Sequence, residues 1–152
     1  MNFLGIDYGR KRVGLSYADA DLGVSVPLPA LVNLYGPALF QAIGEVLQQR
    51  RVGELVIGYP LHMDGQQGRR TQEVDEFVNA LKKRFNLPVH KVDERLSTAR
   101  VKADFLAMGR KPDKKSGEVD SCAAALILQD YLEQRGLGGA PLMPDPEDWQ
   151  DG

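Results

Sequence analysis

Leu55-Val56-Ile57 is a short, wholly apolar run between Glu54 and Gly58, with no residue suited to face water. A strand of that kind has to be covered on both faces. The covering elements lie on either side of it in the sequence. Before it, Leu39, Ile43, Val46 and Leu47 recur at helical spacing after Pro37, a residue suited to a first helical turn. After it, Val74, Phe77, Val78, Leu81 and Phe85 form one stripe, with Glu73, Asp75, Glu76, Lys82 and Lys83 mostly elsewhere. Asn86-Leu87-Pro88 ends that helix, and Val89 to Val92 reads as another strand. Strands joined through helices run parallel, so their C-terminal ends meet at one sheet edge, where ligand sites in such sheets lie.

Residues 2–7 and 12–18 read as two strands joined by a tight turn at Tyr8-Gly9-Arg10-Lys11. A third covers about Val24 to Val32, interrupted or ended by Pro27 and Pro29. Ser97 or Thr98 can cap a helix running to about Met108, with Gly109 after it. Arg110 to Gly117 is expected to be a polar, basic, mobile loop, and Val119 to Gln134 a last helix. The expected class is α/β: an antiparallel meander followed by βαβ units, giving a mixed sheet with helices on both faces. Residues 1–135 form the domain. Residues 136–152 hold four glycines, three prolines and several acids, and are expected to be a disordered tail.

At 152 residues the chain makes one domain with a full core. No apolar run approaches bilayer-spanning length, and no basic region with a cleavage site opens the chain, so the cytoplasm is expected. One cysteine excludes an internal disulfide and a multi-thiolate zinc site. The net charge of −2 conceals an asymmetry. Asp145, Glu147, Asp148 and Asp151 follow the last basic residue, Arg135, and without them 19 basic residues face 17 acidic ones. The basic residues cluster, at Arg10-Lys11-Arg12, Arg50-Arg51, Arg69-Arg70, Lys82-Lys83-Arg84, Arg110-Lys111 and Lys114-Lys115. Such patches matter more to a phosphate than the total does.

Three acids fall where a strand ends or a helix begins. Asp7 ends the first strand, and Gly9 leaves room for a turn and for a close phosphate; the plain alternative is an Asp that organises the turn. Asp93 and Glu94 are adjacent and face opposite ways, so at most one shares a site with Asp7; Glu94 is preferred. Asp120 precedes Ala123, Ala124 and Ile127 on the apolar side of its helix, where a carboxylate needs a metal or a cationic partner. Its alternative is a first-turn acid satisfying free N–H groups. His62, in a loop at the same edge, is a weaker candidate, and His90 and Cys122 read as structural. Three carboxylates can hold one or two Mg²⁺ or Mn²⁺ ions, which polarise a phosphodiester and activate water without a protein nucleophile. Arg10, Lys11 and Arg12 would bind flanking phosphates, with Lys114 and Lys115 closing over the strand.

The segments Gly5-Ile6-Asp7-Tyr8-Gly9-Arg10-Lys11-Arg12-Val13-Gly14, Gly58-Tyr59-Pro60-Leu61-His62-Met63-Asp64-Gly65, Asp93-Glu94-Arg95-Leu96-Ser97-Thr98 and Val119-Asp120-Ser121 resemble the motifs of the YqgF family, also called RuvX. Its members are known as Holliday junction resolvases or pre-16S rRNA nucleases. The resemblance covers residues 1 to about 135. It implies a ribonuclease H-like fold with the first of five strands central, and a divalent-metal site on Asp7, Glu94 and Asp120. It implies maturation of the 5′ end of 16S rRNA, with junction cleavage the alternative. Arg10, Tyr59 and His62 depart from the family's usual small polar residue, Leu and Asn. One other class stays open, a non-catalytic RNA-binding ribosome-assembly factor; an actin-like phosphotransfer domain needs a second lobe, for which the chain has no room.

Overall fold

A computed structural model describes residues 1–60, 68–93, 101, 104, 106–111 and 115–138. Five strands form one sheet: β1 (Asn2–Tyr8), β2 (Arg12–Asp19), β3 (Ser25–Val32), β4 (Val52–Tyr59) and β5 (Val89–Asp93), in the order β3-β2-β1-β4-β5. β1 is central. It pairs antiparallel with β2 and parallel with β4, and β5 continues the parallel half. The ends of β1, β4 and β5, at Tyr8, Tyr59 and Asp93, therefore share one edge.

Alternation along β1 divides the core. Leu4 and Ile6 join Leu55 and Ile57 beneath α1 (Gly36–Gln49) and α2 (Arg69–Phe85). Phe3 joins Val56 and Val92 beneath α3 (Glu118–Gln134). Helices thus cover both faces, as the apolar run 55–57 required. α1 carries Pro37 in its first turn and buries Leu39, Ile43 and Leu47. α2 buries Val74, Phe77, Val78 and Leu81, and ends at Asn86 in a left-handed conformation (φ 51°). Leu81 is fully buried, so Leu81→Ala should cost about 3 kcal/mol in a denaturant titration.

β3 corrects one expectation. It runs unbroken through Pro27 and Pro29, with a register shift against β2 between Val13 and Leu15. As an edge strand it has one side without a ladder, so prolines are tolerated there. Of the expected tail, residues 136–138 are described: Leu137 packs on the cluster of Phe3 and Leu132. Residues 139–152, and the helix start at Ser97 or Thr98, lie outside the described residues.

Candidate active site

Asp7 sits one residue before the end of β1, directly opposite Gly14 of β2. Directly opposed residues of an antiparallel pair project to the same face, here the face that α3 covers. Gly14 is where α3 arrives. A Cβ on Gly14 would lie 2.0 Å from the Asp120 carbonyl oxygen and 2.2 Å from its carbonyl carbon. The absence of a side chain at 14 lets the first turn of α3 rest on the sheet beside Asp7. Two anchors hold the helix close. The Leu15 N–H donates to Ser121 Oγ (3.2 Å), and Ser16 Oγ donates to the Ala124 carbonyl (2.8 Å). Gly117, which precedes the helix at φ 78°, also abuts Ala30, and both facts favour glycine there.

Two of the three candidate carboxylates, Asp7 and Asp120, therefore lie on the same face at the same edge of the sheet, with Gly14 between them. Glu94, His62 and Lys114 lie outside the described residues. Asp93 does not share this face. It is paired in register with Tyr59, on the side of Ile57 and α2. Among the described residues no group of three His, Cys, Asp or Glu side chains forms a metal cluster.

Asp120 has a cationic partner, the second of the two alternatives, metal or cation, that its position on the apolar side raised. Arg12 Nε donates to Asp120 Oδ2 at 3.0 Å, with both side chains about one-third exposed or less (35% and 26%). Sequence reasoning gave Arg12 to phosphate and did not see this pair, which links residues 108 positions apart. A surface cavity of about 330 Å³ opens here, lined by Gly9, Arg10, Lys11, Arg12, Arg70 and Asp120. Four cations face one acid, so the cavity suits an anion.

Arg70 also lines the cavity, a place that its basic doublet with Arg69 does not reveal in the sequence. Its guanidinium lies 5.6 Å from the centre of the Tyr8 ring and 3.4 Å from Glu73 Oε2. Arg10, largely exposed, donates to Glu73 Oε1 at 3.0 Å. That bond, ahead of the charge of Arg10 and Arg70, holds the Glu73 carboxyl below the ordinary 4.5. Glu73 thus anchors two cations at the cavity rim throughout the neutral range. Lys11 and Lys115 are exposed.

On the other face of the same edge, Asp75 accepts from Lys91 Nζ (2.7 Å) and from the Tyr59 hydroxyl (3.0 Å). The Lys91 bond, aided by Tyr59 and opposed by desolvation, keeps the Asp75 carboxyl below the ordinary 3.8. A depressed folded-state value contributes stability above the unfolded value, and the contribution vanishes as pH falls through the folded one. The stability advantage of wild type over Asp75→Asn should be roughly 0.5 kcal/mol at neutral pH, given the solvent exposure of the pair. It should shrink on acidification below about pH 4, as followed by urea titrations at stepped pH. Of the two remaining residues read as structural, His90 stacks on Tyr131 with centroids 4.9 Å apart. Cys122 packs beside Val119 and Ala123, and burial raises its thiol pKa.

A family model described as RuvX, Holliday junction resolvase, matches residues 1–134. A protein of Opitutus terrae designated "Putative pre-16S rRNA nuclease" is 42% identical over 147 residues, 96% of this chain and 99% of its own length. One of Maridesulfovibrio salexigens with the same designation is 36% identical over 132 residues, 87% of this chain and 98% of its own. Among solved structures, Thermus thermophilus RuvC in complex with a Holliday junction substrate superposes with a TM-score of 0.55 at 16% identity. That match covers 91% of this chain and 99% of the other. The fowlpox virus Holliday junction resolvase gives 0.51 at 11% identity, over 89% and 99%. At those identities the structural likeness bears on the fold, which is ribonuclease H-like.

Proposed function

The chain belongs to the RuvX family and is a nuclease that hydrolyses phosphodiester bonds; from that premise we propose a divalent-metal-dependent endonuclease acting on structured RNA. Its substrate in this reading is precursor 16S rRNA, trimmed at the 5′ end during ribosome biogenesis in the cytoplasm. The observation that supports it best is the meeting of Asp7 and Asp120 across Gly14, next to a cavity rich in arginine and lysine. Carboxylate oxygens are the ligands that Mg²⁺ and Mn²⁺ favour, so Asp7 and Asp120 fit such an ion, with Glu94 proposed as the third ligand. A bound ion would polarise the scissile phosphate and supply activated water.

The chain's own groups do the rest. Lys11, Arg10 and Arg70 hold the flanking phosphates, which fixes the strand without reading its sequence. Arg12 is poised to exchange its contact with Asp120 for a phosphate oxygen. Among the described residues no helix is long and apolar enough to cross a membrane, which accords with this reading.

Labelled precursor rRNA and a four-way DNA junction, incubated in parallel with Mg²⁺, Mn²⁺ or chelator, test the proposal. Metal-dependent cleavage of the rRNA at the mature 5′ end is the expected result. Cleavage of the junction alone would favour the resolvase alternative named by the family description. Tight rRNA binding with no cut in any metal would favour a ribosome-assembly factor. Resolving a junction symmetrically needs two active sites and hence a dimer, so the mass of the active species in solution separates the readings further.

A further inference from the structure

A second surface cavity, of about 410 Å³, opens on the opposite side of the turn that carries Lys11, between α1 and α2. Its floor is aromatic. The Tyr8 and Phe77 rings stack with centroids 4.0 Å apart and planes within 8°. Phe40 lies 5.7 Å from Phe77 at 30°. Gly36 and Ala80 also line the cavity and leave room above these rings; a Cβ on Gly36 would meet nothing within 4 Å. Glu76 stands exposed at the rim.

This lining makes a poor phosphate site, because carboxylates at the rim repel an anion. It suits a flat, uncharged ring whose edge carries N–H donors. The cavity adjoins the cationic one, since Arg10 lines both. Asp7 and Tyr8 are consecutive in β1 and project to opposite faces. A strand bound at the Asp7 face thus reaches the aromatic floor by crossing the turn at 9–11.

We propose that this groove receives an unpaired nucleobase of the substrate strand, stacked against Phe40 and Tyr8, while the adjoining phosphates lie among Arg10, Lys11 and Arg12. The inference rests on the nuclease reading and narrows it to substrates with a single-stranded stretch beside the cut. A base inside a duplex would first have to leave its stack, at a cost. The guanidinium of Arg70, 5.6 Å from the Tyr8 ring, and that of Arg84, 5.7 Å from Phe40, already use these rings as platforms. A base takes the same kind of contact and leaves both cations for backbone phosphates.

Fluorescence anisotropy of the full chain in chelator, so that nothing is cut, gives the test. The probes are a labelled RNA hairpin with a single-stranded 5′ extension, its blunt counterpart, and extensions made abasic at one position at a time. Phe40→Ala should weaken binding of the extended hairpin about tenfold and leave the blunt one within about twofold; Phe40→Trp should restore it. Thermal melts establish that each variant is folded. If Phe40→Ala fails to fold, the abasic series decides: one abasic position should reproduce the tenfold loss. Equal losses on both hairpins, or no loss in a folded Phe40→Ala and none at any abasic position, overturn the groove alone. Wild-type protein that binds neither hairpin overturns the RNA-substrate proposal and the groove with it.

Discussion

Asp7→Asn should reduce the cleavage rate about a thousandfold while leaving nucleic-acid affinity within about threefold of wild type. Asparagine keeps the shape of the side chain and removes its charge, and a thermal melt establishes that the variant is folded. An oxygen ligand to a divalent ion that stabilises developing charge contributes several kcal/mol, and each 1.36 kcal/mol is tenfold in rate. Affinity is expected to come instead from Lys11, Arg10 and Arg70, which line the neighbouring cavity and are left unchanged by the substitution. Rate and affinity should therefore separate, as read by a cleavage assay and an anisotropy titration on one preparation. Binding lost in parallel with cleavage, in a folded variant, would mean that Asp7 holds the site together and does no chemistry.

Among the glycines whose surroundings are described, Gly14→Ala should be the most damaging change. The new Cβ would fall 2.0 Å from a backbone oxygen and 2.7 Å from the Ser121 nitrogen, atoms that cannot swing aside. Either α3 lifts from β2, breaking the Leu15–Ser121 bond and the Ser16–Ala124 bond, or the strand deforms. A cost of about 3 kcal/mol follows from overpacking of that kind, or a melting temperature lower by about 10 °C for a chain of this size. The folded fraction should also cleave slowly, because the same movement carries Asp120 away from Asp7. Gly53→Ala is the control. Its Cβ would meet only Met1 Cγ, at an ordinary 3.6 Å, and should change melting by less than about 3 °C. Equal tolerance of alanine at 14 and 53 would contradict the close seat of α3 on the sheet.

Much of this was legible in the sequence because it rests on periodicity and on local chemistry. The apolar run 55–57 demanded cover on two faces and has it. The stripe from Val74 to Leu81 is the buried side of α2. Asp120 preceding Ala123 and Ala124 on a buried helical face foretold a partnered carboxylate, and Arg12 is that partner. Which partner was not legible. An arginine that holds a protein carboxylate looks the same in sequence as one that waits for phosphate, and 108 residues of chain separate the two ends of this pair. Pro27 and Pro29 misled for a related reason: a proline reports a missing N–H, but only the strand order says whether a neighbour needs it. Arg70 stands in one of several basic clusters, with nothing in the sequence to set it apart; its place above Tyr8 depends on where α2 begins relative to the end of β1.

In the proposed mechanism, carboxylates remote in sequence converge to hold a hard cation at the end of β1. Crystals grown in manganese and measured for anomalous scattering test it most directly. A peak is expected about 2.1–2.2 Å from carboxylate oxygens of Asp7 and Asp120, close to the distances of small hard cations, with Glu94 completing the set and Arg12 moved off Oδ2. A manganese-saturated crystal that shows no peak there, with Arg12 still bonded to Asp120, would contradict it.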